Sequence, residues 1–427
     1  MPRTDTLRIL VLTQMYPPHH LGGYEVVCRD VVDRWRERGH DVEVLTTSHT
    51  VAHAVDDTDT TRVRRNLRFY WDDHRILAPP LPTRWLIERQ NQRALAAALA
   101  EQRPGVVSVW HMGAMSLGLL QTISERAIPM VFVIGDDWLV YGPKVDAWSR
   151  LFTARPRLGR LARKLTRVPT TVAPVPGSFA ACFASDWLRR RALERSPWIL
   201  GRTAVVPHGI DTRRFESRDE EAPWSWRILS LGRVEERKGV HVAIEALTHL
   251  PVEATLDVAG PAHEPYVDRL RRLTAELGLE QRVRFVGEIG QGRLAGTYRA
   301  ADVFVHPVVW EEPFGLAPLE AMACGTPTVA TGTGGSAEFL LDGKNCLLVP
   351  RGDARALADA LRRLANDAAL RRKIERGGRS TAARLDVDRM AVSLESWHHA
   401  AAAGFHDGEP PVSAIAEASA SELDRDA

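Results

Sequence analysis

The sequence predicts an α/β protein made of two Rossmann-like, doubly wound parallel-sheet domains. Three observations lead there. The chain has 427 residues, more than one ordinary hydrophobic core organises. Short apolar runs alternate with amphipathic stretches along it, as when helices carry the chain between parallel strands. That alternation opens twice with strand, glycine-containing turn and helix, after Leu12 and again after Leu231, and each opening starts a βαβ unit.

Composition narrows the function classes. Apolar residues make up 44% and charged residues 26%, the proportions of a globular protein. A net charge of +2 argues against a general nucleic-acid binder. Cys28, Cys182, Cys324 and Cys346 form no CxxC pair and read as reduced, buried thiols of a cytoplasmic protein. The apolar run at 7–12 is too short for a signal peptide, and no uninterrupted apolar segment reaches the length of a membrane span. No metal-ligand spacing is visible, so neither a metal nor a cofactor is expected.

In the first half, residues 7–12 form a buried-type strand. Gly22 and Gly23 open a helix over 25–38, whose Val26, Val27, Val31, Val32 and Trp35 share one stripe. Gly39 stops it, and the next strand spans 41–46. Glycines at such a turn let a ligand approach the backbone, although half of such turns are simply tight. Residues 51–65 are polar and turn-rich. A helix follows over 85–102, then strands over 106–110 and 128–134. His111 and Asp136 fall at the ends of these two strands, the edge where open α/β sheets bind ligands. Taken singly, each reads more plainly as a polar strand cap.

From 147 to 185 there is no acidic residue. Arg150, Arg155, Arg157, Arg160, Arg163, Lys164 and Arg167 alternate at helical spacing with Leu151, Leu158, Leu161 and Leu165. Three readings are open: a surface helix packed by its leucines, a steering surface for an anionic acceptor, or peripheral contact with an anionic membrane at its inner face. Pro169, Pro174 and Pro176 end the segment. A strand over 179–184 and a helix capped by Ser185 precede a turn at 205–215.

A charged linker at 211–225 leads to a strand over 226–231 and the turn Gly232, Arg233 to Lys238, Gly239. Arg233 as a fork and Lys238 as a point charge would suit a diphosphate, against the plainer reading of solvated loop charges. Strands at 255–259, 283–286, 303–305, 327–330 and 346–349 alternate with helices. Helices are expected at 353–364 and 370–376, and a last one at 383–403. Residues 404–427, rich in Ala, Ser, Glu and Asp, read as a disordered tail.

The stretch VFVHPVVWEEPFGLAPLEAMACGTP at 303–327 carries the most chemistry. An apolar strand ends before Pro307, a loop holds Trp310, Glu311 and Glu312, and Gly315 precedes a helix. Glu320 lies eight residues beyond Glu312 and is expected in the first turn. Helix-start amides at 315–317 suit an anion. Carboxylates only accept hydrogen bonds, so Glu312 and Glu320 suit hydroxyl groups. Together these features describe a sugar nucleotide, against the alternative of an α/β turn whose Glu320 complements the helix dipole.

EPFGLAPLEAMACGTPTVAT, with GTGGSAEFLLDGKNCLLVP after it, resembles the donor-site signature of retaining glycosyltransferases of family 4, glycosyl transferases group 1. LGRVEERKG resembles that family's phosphate-gripping loop, and VVPHGIDTRRF its turn into the linker. The resemblance implies the GT-B fold, two Rossmann-like domains facing across a cleft. An acceptor domain would span 1–210 together with the returning helix at 383–403, and a nucleotide-sugar domain 226–382. It implies that Glu320 binds the ribose and that Glu312 meets the transferred sugar. Phe314, Gly315 and Leu316 would lie against sugar and diphosphate. Gly232, Arg233 and Lys238 would grip the phosphates, and Gly22 and Gly23 would face the donor.

One departure stands out. VFVIGDDWL resembles VFTLHDYWL, but Gly135 replaces the histidine near the reacting carbon. Either Asp136 or His111 supplies the polar contact, or the acceptor pocket is rebuilt. The implied activity is metal-independent, retaining transfer from a UDP-, GDP- or TDP-sugar to a small-molecule, lipid or polysaccharide acceptor. A non-catalytic donor-binding auxiliary protein and a sugar-nucleotide epimerase of the same fold remain alternatives.

Overall fold

The computed structural model describes residues 6–51, 62–72, 75–171, 179–196, 202–217 and 223–405. Pro174, Pro176, the linker residues 218–222 and the tail from 406 lie outside these. The chain divides into two compact units, one of residues 1–207 with 390–427, the other of 208–389.

The first unit holds strands β1 (Arg8–Leu12), β2 (Asp41–Thr47), β3 (Val63–Leu67), the hairpin pair β4 (Trp71–Asp72) and β5 (Arg75–Ile76), β6 (Val106–Val109), β7 (Met130–Ile134), β8 (Phe179–Phe183) and β9 (Arg202–Val205). Seven of them form one sheet in the order β3-β2-β1-β6-β7-β8-β9, parallel throughout. Helices α1 (Gly23–Glu37), α2 (Leu81–Gln102), α3 (Gly118–Glu125), α4 (Trp138–Val145), α5 (Arg150–Thr153), α6 (Pro156–Thr166) and α7 (Asp186–Arg195) connect them. The central strands are buried on both faces, which is why they read as continuous apolar runs. Leu10, Val107, Phe132 and Phe183 share one core with Leu95 and Leu99 of α2.

The second unit repeats the plan with β10 (Arg227–Leu231), β11 (Thr255–Ala259), β12 (Val283–Gly287), β13 (Val303–His306), β14 (Thr328–Ala330) and β15 (Leu347–Leu348). Their order is β12-β11-β10-β13-β14-β15, again all parallel. Its helices are α8 (Val240–Ala246), α9 (Glu264–Glu276), α10 (Gln291–Ala300), α11 (Leu316–Ala323), α12 (Ala354–Asn366) and α13 (Ala368–Arg384). In both sheets the chain runs outward over three strands and then returns to start the other half. The reversal lies between β1 and β6 in one unit and between β10 and β13 in the other, and ligands of open α/β sheets bind beyond the strand ends at such points.

Several elements differ from expectation. The turn-rich segment hides the edge strand β3, whose charge is accommodated in the sheet: Arg64 donates to Glu43 on β2 at 2.9 Å and pairs with Glu101 at 2.7 Å. The basic segment is two helices, broken before Pro156, which starts α6 because it needs no amide donor there. Of its leucines, Leu151 packs against Trp148, Phe152 and Val168, whereas Leu158, Leu161 and Leu165 are 47%, 53% and 76% exposed. The last expected helix starts later than 383, since α13 runs to Arg384 and α14 (Val387–Ala402) starts after Asp386, whose carboxylate accepts from Thr212. From Met390 the helix belongs to the first unit. There Trp35 Nε1 donates to the Ala391 carbonyl at 3.1 Å, and Arg38 pairs with Glu395. Among the described residues no helix is long and apolar enough to cross a membrane.

Candidate active site

In the second unit the site grows from the ends of β10 and β13. After β10 the chain makes a 3-10 turn over Glu236–Lys238 and enters α8 through Gly239 at φ +71°. A Cβ there would stand 1.9 Å from the Pro307 carbonyl oxygen, so only glycine lets this turn press against the end of β13. The close approach delivers Lys238 Nζ to 2.6 Å from Glu312 Oε2. Trp310 Nε1 donates to the same oxygen at 3.0 Å, and His306 Nε2 faces it at 3.9 Å. Both hydrogen bonds to the Glu312 carboxylate among the described residues thus fall on Oε2, which leaves Oε1 for a ligand. Burial would raise the Glu312 carboxyl, but the Lys238 charge, His306 and the hydrogen bonds from Lys238 and Trp310 together overcome it and hold the acid at about 2.

Gly315, at φ +95°, caps α11, and its missing side chain opens the space beside Glu312: a Cβ would lie 3.4 Å from Glu312 Cγ. The first amides of α11 have no acceptor within the helix and offer anion contacts there. Leu316 is the first residue of α11.

The remaining sequence-named residues of this unit are placed less simply. Arg233 reaches Glu235 at 3.4 Å rather than Glu312, and Gly232 precedes it with φ +147°. The Phe314 ring is buried between Phe339 and His208, at centroid distances of 5.1 and 5.6 Å, so its side chain is committed to packing. Glu320 falls in the second turn of α11 rather than the first, because the helix begins at Leu316; its Oε2 accepts from Tyr298 Oη at 2.8 Å.

The first unit builds its own cluster at the matching strand ends. His111 Nε2 lies 3.2 Å from Asp136 Oδ2, and Tyr141 Oη donates to that oxygen at 3.0 Å. His111 Nδ1 faces Glu25 Oε1 at 3.7 Å. The other Glu25 oxygen accepts the Gly22 amide at 3.2 Å, with Gly23 next as the first residue of α1. Burial opposes a charged imidazole, but Asp136 and then Glu25 overcome it and raise His111 to about 10. Of the groups left by the Gly135 replacement, His111 and Asp136 are therefore brought together as one ion pair. Asp137 faces elsewhere, paired with Arg191 at 2.6 Å.

Sequence reasoning missed Glu25, Tyr141 and His306, and gave Trp310 no role. A histidine ending an apolar strand was the one visible signal among them. Among the described residues, His40, Glu395 and His399 form a group with metal-ligand atoms close together. His40 Nδ1 accepts the Leu7 amide at 3.1 Å, so its proton sits on Nε2, 3.2 Å from Glu395, while Arg38 holds the same carboxylate. That is a clamp on α14, not a cation cage.

Residues 21–214 match the family model described as Glycosyltransferase Family 4, and residues 213–381 match Glycosyl transferases group 1. The chain belongs to glycosyltransferase family 4. A D-inositol 3-phosphate glycosyltransferase of Xylanimonas cellulosilytica is 37% identical over 211 residues, 46% of this chain and 50% of that protein. The chain thus spans about half the length of the curated relatives it matches. Among solved structures, a sucrose-phosphate synthase of Thermosynechococcus elongatus superposes with a TM-score of 0.68 at 21% identity, over 92% of this chain and 98% of that one. HepE of Anabaena, in complex with UDP-glucose, gives 0.64 at 21% identity, over 91% and 99%. With two parallel-sheet units, this family 4 member has the GT-B fold.

Proposed function

We propose that the protein is a glycosyltransferase that moves a sugar from a nucleoside diphosphate sugar to an acceptor with retention of anomeric configuration. The observation that carries the reading is the meeting of Lys238 and Glu312 beside the start of α11. Lys238, Arg233 and the amides at 315–317 stabilise the charge that grows on the leaving diphosphate. Glu312 Oε1 and Glu320 accept from hydroxyls of sugar and ribose. The anomeric carbon loses its bond to the phosphate oxygen and gains one to the acceptor oxygen on the same face. The acceptor proton passes to the departing phosphate. Two cations and a helix terminus supply the charge a divalent ion would otherwise bring, so metal independence is part of the proposal. The first unit, with His111 and Asp136, takes the acceptor.

The UDP-glucose complex of HepE and the phosphorylated cyclitol in the relative's name support the donor class and a hydroxyl acceptor. A thermal-shift panel of UDP-, GDP- and TDP-sugars tests it: one good donor raises Tm by several degrees through mass action. No rise with any of them overturns the proposal. The Gly135 replacement favours a second reading, a donor-binding auxiliary protein, which binding without turnover over a fair acceptor panel would establish. Conversion of the sugar without an acceptor would instead establish an epimerase.

Peripheral contact with the inner face of a membrane belongs to the same proposal. Leu158, Leu161 and Leu165 stand exposed on α6 beside Arg157, Arg160 and Lys164, an apolar stripe edged by cations that fits an anionic lipid surface. Vesicles containing phosphatidylglycerol should carry the protein upward in flotation; no dependence on anionic lipid removes this contact.

A further inference from the structure

His306 ends β13 beneath the Glu312 loop and is 6% exposed. Its ring stacks on Phe304, with centroids 6.0 Å apart and planes 26° from parallel, which fixes the direction of its nitrogens. Nε2 points between Glu312 and the Gly315 turn, 3.9 Å from Glu312 Oε2 and 3.7 Å from where a Gly315 Cβ would stand. Among the described residues this nitrogen meets no hydrogen-bond partner. A buried unsatisfied nitrogen costs stability, and its position beside the ligand-facing carboxylate gives it a use.

Three groups surround Glu312 Oε2. Lys238 and Trp310 donate to it, while His306 stands just beyond reach. Lys238 is also the group an anionic ligand would claim, and a buried carboxylate that loses its ammonium needs another donor. The Nε2 of a neutral imidazole can supply one. His306 is neutral because burial and then the Lys238 charge push it down to about 4.

We propose that His306 is a positioning residue for Glu312. As Lys238 turns toward a diphosphate, His306 Nε2–H donates to Glu312 Oε2, and this keeps Oε1 directed at the hydroxyls of the sugar. The inference rests on reading the pocket as a sugar-nucleotide site, and it predicts that His306 contributes to diphosphate binding, where it replaces the donor that Lys238 withdraws, and contributes more to binding of the sugar.

Calorimetric titration of UDP-glucose, GDP-mannose and TDP-glucose, each beside its nucleoside diphosphate, provides the test. His306→Phe keeps an aromatic ring on Phe304 and removes the donor, whereas His306→Gln keeps a donor. The Phe variant should bind the diphosphate about threefold more weakly and the sugar nucleotide about tenfold more weakly. The Gln variant should recover to within about threefold. Equal weakening of both ligands, no change in either, or failure of Gln to rescue would overturn the inference. A measurement on the wild-type chain keeps it falsifiable if the Phe variant does not fold: the His306 Nε2 nitrogen resonance should move when nucleoside diphosphate is added, and a stationary resonance also overturns it. A wild-type protein that binds the diphosphates and sugar nucleotides of this panel not at all would sink the reading of the pocket itself, a result distinct from each of these.

Discussion

His111 follows β6 and His306 ends β13, the corresponding strands, each bordering the reversal point of its own sheet. Their surroundings differ. His111 stands between Asp136 and Glu25 and is held as a cation, its pKa raised to about 10. His306 stands beside Lys238 and is held neutral, its pKa lowered to about 4. One fold therefore produces an acid-lined strand edge in the first unit and a cation-bearing one in the second, because the loops and helix starts around the strand ends and not the sheet choose the charge. The acid-lined edge suits hydroxyl donors and the cationic edge suits a diphosphate, which is the basis for proposing that the first unit takes the acceptor and the second the donor.

The comparison is broken most forcefully at Glu312. Glu312→Ala should lower turnover by about 100-fold while nucleoside diphosphate affinity moves by less than about threefold, since the side chain is proposed to face the sugar. Arg233→Ala should show the reverse pattern, weakening the diphosphate by about tenfold with a smaller effect on turnover at saturation. Steady-state kinetics and calorimetry on both variants check this. Equal losses of turnover and affinity in Glu312→Ala would remove its sugar-facing role, and unchanged affinity in Arg233→Ala would remove that phosphate contact.

The sequence made the parallel sheets legible because their central strands are unbroken apolar runs, as at Met130–Ile134 and Val303–His306. It made Lys238, Glu312 and Gly315 legible as one locus, since strand, turn and helix signals bracket each of them. Strand β3 stayed hidden because VRRNL carries two arginines, and only the tertiary partners Glu43 and Glu101 show how Arg64 fits an edge. The commitment of Phe314 to His208 and Phe339 could not be seen either, because its partners come from distant parts of the chain. The same holds for His111: spacing could place it at a strand end, but not show that Glu25 from another element would stand opposite its second nitrogen.

The opposite charge states predict opposite pH limbs of stability. His111 is a base whose folded pKa is raised, so its contribution is full below about pH 6.5 and is lost as pH rises toward about 10. Asp136, Glu25, Tyr141 and Tyr24 face it, and Asp136, whose own pKa is lowered by His111 against its burial, adds a loss on the acid side. His306 is a base whose folded pKa is lowered, so it favours the fold above about pH 6.5 and opposes it as pH falls toward about 4. Lys238 and Glu312 are the charged groups facing it. Urea midpoints measured across pH should therefore show a flatter alkaline limb in His111→Gln and a flatter acid limb in His306→Gln. Identical limbs in the two variants would show that the charge assignments are wrong.

The smallest effect tests why each site needs a glycine. Gly113 has an ordinary backbone, but a Cβ there would lie 2.4 Å from Tyr141 Oη and 2.9 Å from His111 Nε2. Its requirement is space. Gly315 has room for a Cβ, whose nearest neighbour would be Glu312 Cγ at 3.4 Å, but its φ of +95° strains any other residue. Its requirement is conformation. Overpacking is relieved by trimming the neighbour it strikes, whereas backbone strain is not. Gly113→Ala should thus lose less stability in a Tyr141→Phe background than alone, by about 1 kcal/mol in a double-mutant cycle from urea melts. Gly315→Ala should lose the same amount in either background, since Tyr141 has no part in its strain. A Gly113–Tyr141 coupling near zero would mean that the ring swings aside freely, and the His111–Asp136–Tyr141 cluster would then be looser than its short contacts imply.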